Sequence, residues 1–262
     1  MNTEIGFDNE INIVNALHDK SVNELSNNML NFVKTMFKNC NSNDIVKAYR
    51  TENLIKPDII VQINDERHYV SIKYGSSVTV HEENIDTFCD FLRTLDVSET
   101  IINILKLYHY GDGTYDGSGT IRKNSIEVRY EMMKDLKVLN SYFMDKNIVK
   151  AVLDRVIFQG YDDSCYKADF LYHGDVDYGT IISRNQVMRH LETKDWSYMD
   201  MVHIGPVLLA PHARYAGTDI KYPQHRTNIQ FRWSRLGEDF VYISRRYNVF
   251  STYKPFKYEK IN

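Results

Sequence analysis

The stretch KPDIIVQINDERHYVSIKYG, residues 56–75, constrains the fold more than any other part of the chain. Its two apolar runs, 58–63 and 68–73, are rich in the β-branched residues that suit a pleated strand. The polar NDER between them is the kind of turn that joins antiparallel neighbours, so a hairpin is predicted. Side chains alternate across a strand, which points Ser71 and Lys73 the same way. Asp58 opens the first strand and Lys73 closes the second. The hairpin therefore sets a carboxylate beside an amine at the edge of a small sheet.

Helical spacing frames this hairpin. Ile11, Val14 and Leu17 recur at that spacing and predict a helix over 6–18. Val22, Leu25, Met29 and Val33 predict a second over 22–38, and a strand follows at 45–49. Downstream, Ile85, Phe88, Leu92 and Leu95 share a face of a helix expected at 81–95, with another at 98–107. GDGTYDGSG, residues 111–119, matches neither a P-loop nor an EF-hand and reads as a flexible connector that could move on binding. Two helices are expected over 125–158, then mostly β structure from about residue 165. A helix is expected at 185–192 and strands at 202–209, 227–233 and 239–244. The fold class is α/β, a mixed sheet flanked by helices with a β-rich C-terminal region. Three successive segments are expected: a core at 1–110, a helical connector at 111–160 and the β-rich region at 161–262.

A carboxylate and a lysine held together suit phosphodiester hydrolysis. The carboxylate can hold Mg²⁺, which polarises a phosphate and acidifies a bound water, while the ammonium stabilises developing negative charge. One carboxylate holds magnesium poorly, so partners are needed. Glu10 in the first helix, Glu82 and Glu83 after the hairpin, and the main-chain carbonyl of Ile72 are candidates. Each has a plainer reading: Glu10 as a solvated helix residue, Glu82 and Glu83 as first-turn charges favoured by the helix dipole, and Lys73 as an edge-strand charge.

Pro57-Asp58, an apolar strand, and a second strand ending Ser71-Ile72-Lys73 resemble the PD-(D/E)xK nuclease superfamily, which includes most type II restriction endonucleases. The resemblance covers roughly residues 5–95 and implies a restriction-endonuclease-like nuclease core, Mg²⁺ as cofactor and double-stranded DNA as substrate. It implies Asp58 as metal ligand, Lys73 as charge stabiliser, and Glu10 in GFDNEINIVNALHDK as the acid of the preceding helix. The family's second acid is replaced here by Ser71, which would orient a water or the lysine, and Glu82 or Glu83 is the candidate replacement. That departure keeps two alternatives open: a non-catalytic DNA-binding protein on a decayed nuclease fold, and a defence or repair nuclease without a fixed recognition sequence.

Composition adds where charge falls. The 262 residues carry a net charge of −3, but residues 210–262 hold ten Lys or Arg against four Asp or Glu, with eleven of the 33 aromatics. Basic and aromatic residues interleaved suit contact with phosphates and bases, and Arg214, Lys221, Arg226 and Arg232 are the candidate nucleic-acid contacts. A dimer contact is the other reading of this region, so a homodimer is compatible with the sequence. Cys40, Cys89 and Cys165 form no CxxC pair, which argues against a cysteine zinc site and for reduced thiols. With no apolar run long enough for a bilayer and a polar N-terminus, a cytoplasmic protein without a membrane partner is expected.

Overall fold

The computed structural model describes residues 2–51, 56–75, 79–119, 122–160, 166–193, 201–212 and 225–252. In chain order the strands are β1 (Lys20–Ser21), β2 (Ile45–Arg50), β3 (Ile59–Ile63), β4 (Glu66–Lys73), β5 (Thr79–Asn84), β6 (Phe170–Gly174), β7 (Gly179–Ser183), β8 (His203–Ile204), β9 (Val207–Pro211) and β10 (Asn228–Trp233). The helices are α1 (Asn2–Leu17), α2 (Asn27–Met36), α3 (Ile85–Thr94), α4 (Glu99–Tyr110), α5 (Ser125–Glu131), α6 (Met133–Tyr142), α7 (Lys146–Asp154), α8 (Arg184–Thr193) and α9 (Leu236–Arg246). The chain gathers into two compact units that interleave in sequence. One comprises residues 1–78, 158–190 and 235–262, the other 79–157 and 191–234. The sequence reading ran its three segments in succession instead. The interleaving arises because β6 and β7 complete the sheet that holds the hairpin, while β8 to β10 form a second sheet with β5.

The first unit is a six-stranded mixed sheet in the order β1-β2-β3-β4-β6-β7. All neighbours are antiparallel except β4 and β6, which run parallel from Val70↔Phe170 to Lys73↔His173. Helix α1 packs against β2, and α2 and α9 pack against β7. The predicted mixed sheet with flanking helices is present. Ile13, Leu17, Met29, Phe32 and Val33 of the helices meet Ile59, Val61, Val70 and Ile72 of the hairpin in one apolar core. Each such side chain contributes about 1.5–3 kcal/mol by leaving water, which ties the hairpin firmly to its helices. The expected helix at 22–38 is interrupted: Ser26 caps α2 by accepting from the Met29 N–H, and residues 22–24 form a separate 3₁₀ turn.

The hairpin turn is tighter than NDER suggested. Ile63 pairs directly with Glu66, so only residues 64 and 65 make the turn, and Asn64 takes a φ of 53°. Asparagine tolerates that left-handed conformation better than most residues, which explains the shorter loop.

The second unit holds an antiparallel sheet, β5-β10-β9-β8. Its apolar face buries Ile229, Phe231, Trp233 and Leu209, and Phe88 of α3 meets Phe231 edge to face at 4.8 Å. Two expectations fail in instructive ways. Residues 79–84 are a strand, so the helix predicted from 81 starts only at Ile85, where Asn84 caps it through the Asp86 N–H. Residues 239–244, expected as a strand, lie in α9, where Leu236, Phe240 and Ile243 make a buried stripe at helical spacing. Residues 125–158 form three helices rather than two. The 111–119 connector is braced: Arg226 Nη2 donates to Asp112 Oδ2 at 3.1 Å and to the Gly119 carbonyl at 2.6 Å. Gly111 ends α4 with φ 58°, where a Cβ would lie 2.9 Å from Val128, so this turn needs glycine twice over.

Candidate active site

Hairpin register does most of the assembly. With Ile59 opposite Val70, Asp58 falls opposite Ser71 at the place where β3 ends and β4 continues. The Asp58 main chain is tied on both sides: its N–H donates to the Val70 carbonyl at 2.9 Å, and its carbonyl accepts from the Thr51 N–H at 3.1 Å. Its carboxylate then takes the position a strand partner would have held. Oδ2 accepts from Ser71 Oγ at 2.9 Å and from the Ile72 N–H. Lys73 Nζ stands 3.8 Å from the same oxygen. Because β3 pairing stops at Val70, the Ile72 N–H is left to donate to Asp58 instead of to β3.

Helix α1 carries Glu10 to this place. Asn9, buried beside it, donates through Nδ2 to the Gly174 carbonyl at 2.9 Å and docks the helix on the end of β6. Glu10 has its carboxyl pushed up to about 7, first by burial and then by the negative charge of Asp58. Arg50 and Lys73 pull the other way without cancelling that effect. The Arg50 guanidinium meets Glu10 Oε2 at 3.3 Å and lies 3.8 Å from the centre of the Phe7 ring. Sequence reasoning missed Arg50 and Phe7. The signal available was Arg50 in register with Ile59, one step from Asp58. His173, paired with Lys73 across β4 and β6, is also buried, and that burial lowers its pKa and favours the neutral ring. Its Nε2 lies 3.2 Å from the Gly75 carbonyl, where the hairpin leaves the sheet.

Glu10, Asp58, Ser71, Ile72 and Lys73 therefore stand together in the first unit. Asp58 stands close enough to raise the proton affinity of Glu10, and the two carboxylates form a donor set that fits a hard divalent cation. Glu82 and Glu83 belong to the second unit and are engaged there. Glu82 accepts from Asn228 Nδ2 at 2.7 Å and Gln230 Nε2 at 2.9 Å. Glu83 is buried in a two-pronged pair with Arg155, at 3.2 and 2.7 Å. Neither sits in the first turn of a helix, so the dipole account of their charge does not apply. Of the basic candidates, Arg232 is exposed on β10 and Arg226 is the connector brace, while Arg214 and Lys221 lie outside the described residues. Cys40 and Cys89 are free thiols; burial pushes Cys89 up to about 12, which keeps it unreactive, and Cys165 lies outside the described residues. Among the described residues no helix is long and apolar enough to cross a membrane.

No family model matches the chain, and no curated protein matches it. Among solved structures, the chain is similar to the restriction endonuclease MspI in complex with its cognate DNA. The identity is 13%, 79% of each chain is covered, and the TM-score is 0.44. A superposition at that level adds no weight to a functional reading, which rests on the geometry above.

Proposed function

We propose that this protein is a Mg²⁺-dependent endonuclease that hydrolyses phosphodiester bonds of double-stranded DNA, in the manner of a type II restriction enzyme. The observation that carries the reading is the meeting of Glu10, Asp58, Ser71 and Lys73 in one unit. Asp58, Glu10 and the Ile72 carbonyl would hold the ion, which when bound polarises the phosphate and lowers the pKa of a water. The chain's own side chains do the rest. The Asp58 backbone is anchored on both sides, so its carboxylate needs little reorganisation. The Lys73 ammonium faces the charge that develops on the phosphate oxygens. The Ser71 hydroxyl orients Asp58, and Arg50 holds Glu10 in place. Arg232, with Arg214, Lys221 and Arg226, would contact DNA, and a homodimer in the cytoplasm fits the same role.

The test is cleavage of supercoiled plasmid with Mg²⁺ and with chelator. The parent should cut only with metal, and Asp58→Asn should keep its circular dichroism spectrum and lose cleavage. Discrete bands support a fixed recognition sequence, and a smear supports a defence or repair nuclease without one. The hydrogen bond from Ser71 to Asp58 favours one competing reading, a site closed on itself that only binds DNA. Retarded migration of DNA with no cleavage by the parent would establish that reading in place of the enzyme.

A further inference from the structure

The polar face of the second sheet gathers a different set of donors. Along β10, Ile229, Phe231 and Trp233 turn into the core, which leaves Asn228, Gln230 and Arg232 on the other side. Gln230 pairs with Glu82 of β5, placing that carboxylate on the same face. His212 follows β9 directly, and its N–H donates to the Asn228 carbonyl at 3.0 Å, extending the ladder by one residue. His225 stands three residues before β10. The His212 and His225 rings lie parallel, 4.0 Å between centres and 8° between planes. His212 Nε2 is 3.7 Å from Glu82 Oε2. One ligand atom from each of Glu82, His212 and His225 lies within 4.8 Å of the other two.

We propose that Glu82, His212 and His225 form a binding site for a divalent transition metal such as Zn²⁺ or Co²⁺. Two imidazole nitrogens and one carboxylate oxygen select a borderline cation, because Mg²⁺ prefers an all-oxygen shell and dehydrates reluctantly. Each Glu82 oxygen is held by a neutral amide, from Asn228 and from Gln230. These bonds aim the carboxylate without cancelling its charge, the usual service of a supporting shell. The side chains of His212 and Glu82 keep 15% and 29% of their surface exposed, so an ion and its remaining water ligands can reach them. Metal–ligand bonds of about 2.0–2.2 Å bring tetrahedral donors to roughly 3.4 Å from one another. His212 Nε2 and Glu82 Oε2, 3.7 Å apart, must therefore draw slightly together, and the two parallel rings must tilt so that their in-plane lone pairs converge. The ion would join β5 to the end of β9 and to the turn before β10.

This site is independent of the nuclease reading, and its test reads metal alone. Full-length protein stripped with chelator is titrated with Co²⁺, followed by visible absorption, and with Zn²⁺, followed by calorimetry. On an Asp58→Asn background, which removes the carboxylate site of the first unit, His212→Ala, His225→Ala and Glu82→Gln should each bind at least about tenfold more weakly than Asp58→Asn alone. X-ray absorption on the Zn²⁺-loaded parent covers the case in which a variant fails to fold, and should show two imidazole nitrogens. An all-oxygen shell, no binding by the parent, or histidine variants that bind as tightly as the protein they were made from overturns the proposal.

Discussion

Glu10 in the first unit and Glu83 in the second each face an arginine, yet their carboxyls move in opposite directions. Burial raises both. At Glu83, whose side chain is only 1% exposed, the hydrogen bonds from His81 and Arg155 outweigh it and hold the carboxyl below the ordinary range. At Glu10 a longer contact with Arg50 on one oxygen does not outweigh burial and the Asp58 charge, and the carboxyl rises to about 7. The more deeply buried glutamate is thus the more readily ionised one. Partner geometry decides the outcome: Glu83 is complete as it stands, whereas Glu10 beside Asp58 is a carboxylate that a cation would suit.

The largest expected effect comes from breaking the completed pair. Arg155→Met leaves Glu83 buried with His81 alone and should cost about 3–5 kcal/mol in urea unfolding at pH 7. Adding Glu83→Gln should recover much of that loss, because no unpaired charge then remains buried. A single variant as stable as the parent would mean that Arg155 contributes nothing essential.

The two glutamates should also give opposite pH dependence. Glu10 has a raised pKa, so its stabilising contribution is complete below the ordinary carboxylate value of 4.5 and is lost as pH rises through about 7. Glu83 has a lowered pKa, so its contribution is present above 4.5 and is lost as pH falls below it. Without divalent metal, Glu10→Gln should therefore gain about 2 kcal/mol over the parent at pH 8, allowing for partial solvent exposure, and nothing at pH 4. Equal stability of the two proteins at pH 8 would remove Glu10 from this account. Mg²⁺ binding by the parent should tighten across the same window, since the ligand must lose its proton.

A finer test removes the neighbouring charge. Asp58→Asn should bring the Glu10 carboxyl down, as read by side-chain NMR titration, because a like charge is gone. An unmoved Glu10 would leave burial as the whole cause. The smallest effect belongs to the exposed Arg232. Arg232→Ala should change stability by no more than about 0.5 kcal/mol and lower the salt dependence of DNA binding by roughly one phosphate contact. An unchanged salt slope would put the DNA contact elsewhere.

The hairpin was legible because its information is local. Alternation of apolar residues and a polar turn predict the hairpin, and its register, set by a two-residue turn, brings Asp58 to Ser71 and Lys73. Residues 79–84 misled because His81 and the two glutamates look like a helix start, although Asn84 marks the true cap. Residues 239–244 misled because β-branched and aromatic residues in a short window resemble a strand, while the stripe that makes α9 helical needs Leu236 to be seen.

By itself, then, the sequence determined the hairpin, its flanking helices and the pairing of Asp58 with Lys73, since all of these follow from neighbours within about twenty residues. Tertiary structure alone decided that Glu10 would meet Arg50 and Asp58, that Arg155 would neutralise Glu83, and that Glu82 would face His212 and His225. Those meetings depend on strand order and helix docking, and periodicity along the chain carries no record of which distant elements will pack together.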